Sequence, residues 1–154
     1  MDDFVKVEYA APGDLAPWMK LVRKVSWNFP GLETEETLQE HAQTVLLFLQ
    51  KRQGICVKDG NNIVGVLLFS TEYNMICFLA VDPDYRQKGI ASALLEKAIS
   101  NLDRNEDITV STFREEDEKG PAPRALYRKF GFEEGKLTVE FGYPNQVFIL
   151  KAIT

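Results

Sequence analysis

The sequence is poor in the residues that build most metal and redox centres. It has one histidine, His41, and two cysteines, Cys56 and Cys77. A single histidine excludes a His-rich zinc site and paired-histidine chemistry. The cysteines fall inside predicted strands, without metal-ligand spacing, and one pair makes a poor disulfide framework. Both points read as a reducing, cytoplasmic setting with no metal. Long apolar runs are missing too: Val45 to Leu49, the strongest in the first half, is far too short to span a membrane. The opening Met1-Asp2-Asp3 has neither the basic start nor the apolar segment of a signal peptide. Positive charge is scarce, with 18 Lys and Arg against 23 Asp and Glu, a net charge of −5. That balance argues against a nucleic-acid binder and leans toward cationic partners. Two nucleotide signatures are also absent. There is no Gly-Lys-Ser or Gly-Lys-Thr for a P-loop, and the strand-to-helix loop at Gly89 has one glycine where a dinucleotide fingerprint needs three.

What is present is an ordinary globular composition, 45% hydrophobic and 27% charged, over 154 residues. That length suits one domain with one core, spanning 1–154. Phe4 to Ala10 reads as a first strand. Asp14, after the Pro12-Gly13 break, caps a helix running to about Trp27. Thr34 caps a second helix, with Glu35 and Glu36 in the first turn where the helix dipole favours them. Leu38, Ala42, Val45 and Leu49 share one face of it. Strands Gly54 to Lys58 and Asn62 to Ser70 flank a hairpin signal, Asp59-Gly60-Asn61. Tyr73 to Val81 is nearly continuous in apolar residues, as a central strand covered on both faces would be. A helix follows with Ile90, Leu94 and Ala98 on its apolar face, then a strand from Ile108 to Phe113. The charged stretch Arg114 to Lys119 reads as a solvated loop. Pro121 and Pro123 open a last helix that Gly131 closes. Leu137 to Phe141 and Gln146 to Leu150 form a closing hairpin around Gly142-Tyr143-Pro144-Asn145. The chain is mixed α+β, with no repeat and no dividing linker.

The stretch Val81-Asp82-Pro83-Asp84-Tyr85-Arg86-Gln87-Lys88-Gly89-Ile90-Ala91 joins strand to helix. A helix N-terminus leaves backbone N–H groups unpaired, and its dipole favours an anion. Gly89 lets the backbone approach a ligand with no Cβ in the way. Arg86 and Lys88 add positive charge, and Ala91 keeps the first turn small. A phosphate suits this loop, although a plain Asp-Pro turn with a loop glycine would carry the same letters.

The run Arg86-Gln87-Lys88-Gly89-Ile90-Ala91 resembles the acyl-CoA signature of the GNAT superfamily of N-acetyltransferases: Gln or Arg, two residues, Gly, one residue, then Gly or Ala. Ala125-Leu126-Tyr127-Arg128-Lys129-Phe130-Gly131-Phe132 is similar to the later helix of that family, and the order of elements agrees over nearly the whole chain. The resemblance implies an α+β, GNAT-like fold with a central mixed, mostly antiparallel sheet flanked by helices. It also implies direct acetyl transfer from acetyl-CoA, as cosubstrate, to an amine. Leu79, Ala80 and Val81 on a splayed central strand would pair with pantetheine, with an N–H near Leu79 facing the thioester oxygen. Arg86, Gln87, Lys88, Gly89, Ile90, Ala91 and Ser92 would hold the pyrophosphate, and Tyr127 would be the general acid for the leaving thiolate. The chain departs from the family at Gly120 to Arg124, where many members carry an Asn. Arg124 is expected to meet a phosphate there instead.

An ammonium acceptor must lose a proton, and Glu72, just before the central strand, is the first candidate to take it. Glu8 and Glu33 rank behind it, and a solvated hairpin glutamate is the plainer reading of Glu72. His41 reads as a surface residue and Cys77 as strand packing. The loop from Trp27 to Gly31 reads either as an acceptor wall or as an aromatic turn. Two other functions compete: an acyl-CoA-binding regulatory module without turnover, and a structural domain whose Gly89 loop is empty. The acceptor's identity and the oligomeric state, a homodimer included, stay open.

Overall fold

The computed structural model describes residues 5–153. Phe4, where the first strand was expected to begin, lies outside them. The elements run β1 (Val7–Tyr9), α1 (Leu15–Val25), α2 (Glu35–Gln50), β2 (Gly54–Asp59), β3 (Asn62–Ser70), β4 (Met75–Val81), α3 (Ile90–Ser100), β5 (Ile108–Phe113), α4 (Pro121–Lys129), β6 (Glu133–Glu140) and β7 (Tyr143–Leu150). No helix among the described residues is long and apolar enough to cross a membrane. Of the two expected caps, Thr34 forms and Asp14 does not. Thr34 accepts a hydrogen bond from the Thr37 N–H at 3.1 Å, and Asp14 accepts from the Ala11 N–H at 2.8 Å rather than from its own helix.

One seven-stranded sheet has the order β1-β2-β3-β4-β5-β7-β6. Helices α1 and α2 cover one face through Trp18, Val22, Val45 and Leu49. Helices α3 and α4 cover the other through Ile90, Leu94, Leu95 and Tyr127. Gly65 sets the α3 spacing: a Cβ there would lie 2.5 Å from Ile90 Cγ2, so only glycine lets the helix pack this close to β3.

Every strand pair is antiparallel except β4–β5, which is parallel and holds only two register pairs, Met75 with Thr109 and Ile76 with Val110. Beyond them the two strands part. A bulge coincides with the parting. Leu68 faces Phe78 and Phe69 faces Ile76, so Cys77 is the extra residue of β4. The closed end of the fork is held by Asn74, which is buried and has φ of +53°. Its amide donates to the carbonyls of Asp103 (2.9 Å) and Asp107 (3.0 Å), and its Oδ1 accepts from the Asp103 N–H (2.8 Å).

Two expectations need correction. The central strand is not covered on both faces: Cys77 is exposed, and Phe78 and Leu79 are only half-buried, because the parting opens beside them. The closing hairpin is tighter than its turn-rich letters suggest. Tyr143 to Asn145 belong to β7, and the turn is Phe141-Gly142 alone. Both residues have positive φ, +55° and +73°, as a two-residue hairpin matching strand twist demands.

Candidate active site

The parting of β4 and β5 opens into a cavity of about 640 Å³. Cys77, Phe78 and Leu79 line one arm of the fork, and Ser111, Thr112 and Phe113 the other. The backbone beyond the bulge is oriented by the ladder. Asp82 N–H donates to the Val64 carbonyl at 2.8 Å. Counting back in the register, Ala80 faces Val66 and Phe78 faces Leu68 as hydrogen-bonded pairs. The alternation of an antiparallel ladder then turns the N–H and C=O of Leu79 and Val81 the other way, into the fork, where β5 no longer answers them. Ala80 was expected alongside them, but its backbone groups belong to β3.

Helix α3 begins where β4 ends. Gly89 is its N-cap in the left-handed conformation, φ +80°, and Gln87 has φ of +61°. The first helical bond runs from the Ala93 N–H to the Gly89 carbonyl at 3.0 Å, so the N–H groups of the first turn are free of helical partners. Arg86, Gln87, Lys88 and Gly89 are all exposed. Lys129, from the end of α4, reaches Ser92 Oγ at 3.5 Å and adds a cation the sequence did not single out.

Tyr127 projects from α4 to the cavity. Its ring is buried against Phe132 and Phe148, with centroids 5.6 and 6.2 Å away, and its hydroxyl has no hydrogen-bond partner among the described residues. Burial pushes the phenol well above its ordinary value, so it is protonated at neutral pH. Arg124, three residues earlier, does not reach the α3 end. It is 2% exposed, donates to the Phe113 carbonyl (2.9 Å), Gln146 Oε1 (2.8 Å) and Glu134, and stacks on Phe148. Its guanidinium is occupied in tying α4 to β5, β6 and β7, which corrects the expectation of a phosphate contact.

Across the sheet, the α1–α2 connection and α2 form the cavity's other wall. Asn28, Phe29, Pro30 and Gly31 line it, while Trp27 points to solvent at 64% exposure. His41 is not a surface residue. It is partly buried, its ring lies 5.0 Å from Phe78, its Nε2 is buried without a partner, and burial lowers its pKa. Cys77 is not packing either, since the bulge turns it to the cavity; burial pushes its thiol up to about 11. Glu72 sits exposed in the β3–β4 turn and does not line the cavity. Glu8 pairs with Lys58, and Glu33 accepts from the Gly31 N–H. The carboxylates that do line the cavity are Glu40 and Glu140. Glu140 could not be found from sequence, because only the hairpin register brings the end of β6 beside the fork.

Known proteins share this fold. The chain is similar over nearly its full length to a GNAT-family acetyltransferase of Bacillus cereus ATCC 10987, with a TM-score of 0.74 and 21% identity, covering 97% of this chain and 98% of that one. It is similar to the PaiA N-acetyltransferase of Thermoplasma acidophilum, solved in complex with coenzyme A, with a TM-score of 0.70 and 17% identity over 98% and 99% of the two chains. It is similar to YncA of Salmonella typhimurium, solved with its cofactor acetyl-CoA, with a TM-score of 0.72 and 15% identity over 97% and 95%. At these identities the likeness is one of fold. Among curated proteins none matches the chain. The model of the acetyltransferase (GNAT) domain, however, matches residues 50–134, more than half of the sequence, and with that match the chain belongs to the GNAT acetyltransferase family.

Proposed function

We propose that this protein transfers the acetyl group of acetyl-CoA to a primary amine by direct attack, with Tyr127 as general acid. The observation that carries the reading is the fork, where Leu79 and Val81 turn unanswered backbone groups into a cavity that Tyr127 also lines. The residues fit the cosubstrate. The free N–H groups at Gly89 to Ser92, with Arg86, Lys88 and Lys129 around them, suit a pyrophosphate. The Leu79 N–H suits the thioester oxygen as it gains charge.

The protonated phenol of Tyr127 then delivers its proton to the departing sulfur. With reference pKa values near 10 for the phenol and about 8.5 for a thiol, the transfer is uphill by roughly 2 kcal/mol. Burial raises Tyr127, which keeps the phenol protonated until the departing sulfur takes the proton.

The test combines acetyl-CoA titration by calorimetry with thiol release across a panel of primary amines. Binding with amine-dependent release is the expected result. Binding without release from any amine leaves an acyl-CoA-binding regulatory module, and no binding overturns the reading altogether.

A further inference from the structure

The cavity is one-sided in charge. Its lining holds the carboxylates of Glu40 and Glu140 and no lysine or arginine. Glu140 ends β6, and its Oε2 accepts from Ser111 Oγ at 2.6 Å and from Thr138 Oγ1 at 3.3 Å. Ser111 follows directly on Val110, the last residue of β5 to pair with β4, so the carboxylate is held where the strands begin to part. Oε1 has no hydrogen-bond partner among the described residues, and no basic side chain there forms an ion pair with Glu140. Arg114, close by, donates instead to the carbonyls of Asn145 (3.1 Å) and Thr138 (2.9 Å). A carboxylate fixed by two hydroxyls and left without a counter-charge is a receptor for a cation. The walls near it are aromatic. Phe29 and His41 both pack on Phe78, with ring centroids 4.7 and 5.0 Å from it, and Phe141 from the β6–β7 turn lies against Gly31. Such faces take an apolar body and favour a nearby ammonium.

We infer that Glu140 anchors the acceptor, that the cavity selects a primary ammonium carried on an aromatic or aliphatic body, and that Glu140 takes the proton displaced as the new bond forms. The acceptor and proton-taking roles rest on the acetyl-transfer reading; the ammonium site does not. The ammonium first loses one proton to solvent. The amine lone pair then forms the C–N bond to the thioester carbon, and the second N–H proton passes to Glu140. The C–S bond breaks and its electron pair leaves on sulfur, which takes the Tyr127 proton. The proton on Glu140 returns to the Tyr127 oxygen through solvent. The sum is one amide, one CoA thiol and one proton released, with both side chains restored.

The experiment uses the CoA-saturated protein and two probes of one shape, phenethylammonium and neutral 2-phenylethanol, titrated by NMR. The parent should prefer the ammonium by about tenfold, the size of one charge-assisted hydrogen bond. Glu140→Gln, which keeps the shape and the Ser111 contact, should erase that preference. Equal binding of the two probes by the parent, or a preference that survives in Glu140→Gln, overturns the inference. With acetyl-CoA and phenethylamine, Glu140→Gln should lower kcat by about 10²-fold at an unchanged KM for acetyl-CoA. An unchanged kcat removes the proton-taking role. If the parent prefers the ammonium yet acetylates nothing, the transfer reading fails while the ammonium site stands. Should Glu140→Gln melt early, Ser111→Ala carries the test: it frees the carboxylate to rotate and should lose part of the preference, and an intact preference counts against the inference.

Discussion

At the scale of single residues, Tyr127 and His41 carry opposite demands. Tyr127 keeps its phenol protonated in a buried place without a partner for the hydroxyl. Tyr127→Phe removes the proton and no observed hydrogen bond. It should therefore lower turnover by about 10²–10⁴-fold while acetyl-CoA affinity and melting temperature hold. Turnover equal to the parent, with chemistry shown to be rate-limiting, would return the residue to the core. His41 is held below its ordinary 6.5 by burial, so the folded protein keeps it neutral while the unfolded chain takes a proton near that pH. Above pH 6.5 neither state is charged there and stability is unaffected. As pH falls below 6.5 the unfolded state gains the proton first and stability is lost, until the folded value is passed. The difference in Tm between His41→Gln and the parent should thus shift in favour of the variant from pH 7 to pH 5. A constant difference over that range would show that His41 titrates as if unfolded.

At the scale of elements, the turn into α3 and the bulge of β4 do most to shape the site. Gly89 has open space around its missing Cβ, so a side chain there meets no neighbour; the obstacle is the φ of +80°. Gly89→Val should cost roughly 1–2 kcal/mol of stability from left-handed strain. It should lower acetyl-CoA affinity by more, since relief of that strain moves the first-turn N–H groups. Arg86→Ala should lose less, because the backbone shares the contact. Calorimetric titration of both variants checks the order, and a Gly89→Val protein that binds like the parent would place the cradle elsewhere. The elements themselves were legible from local signals. Thr34, Gly131 and the strand-to-helix loop obey cap and dipole rules that act within a few residues. What stayed hidden depends on register. Cys77 looks like core until the ladder slips by one beside it. Arg124 looks like a phosphate ligand until β6 and β7 close over it. Glu72 looks well placed until the turn carries it outward, and Glu140 acquires a neighbourhood only through a hairpin whose turn residues, Phe141-Gly142, are not the ones the letters favour.

At the scale of the whole molecule, the sheet is two blocks, β1 to β4 and β5 to β7, joined by two parallel pairs and by Asn74. Asn74→Ala removes three hydrogen bonds at that junction. It should destabilise by about 1–3 kcal/mol, read as a lower denaturation midpoint, and saturating acetyl-CoA, bound at the fork as proposed, should recover part of the loss. A denaturation midpoint unmoved by the substitution would show that the packed faces alone hold the blocks together. Tyr127 and the α3 turn lie on the α3–α4 side of the sheet, whereas Glu140, Phe29 and His41 lie on the α1–α2 side. With acetyl-CoA at the α3 turn and the amine at Glu140, as proposed, neither reactant stands in the other's path, and neither product need wait for the other to leave. Initial-rate lines should intersect, and CoA should inhibit competitively against acetyl-CoA but noncompetitively against the amine. A strict compulsory order, seen as CoA release only after the acetylated amine has gone, would mean that one side closes while the other is in use.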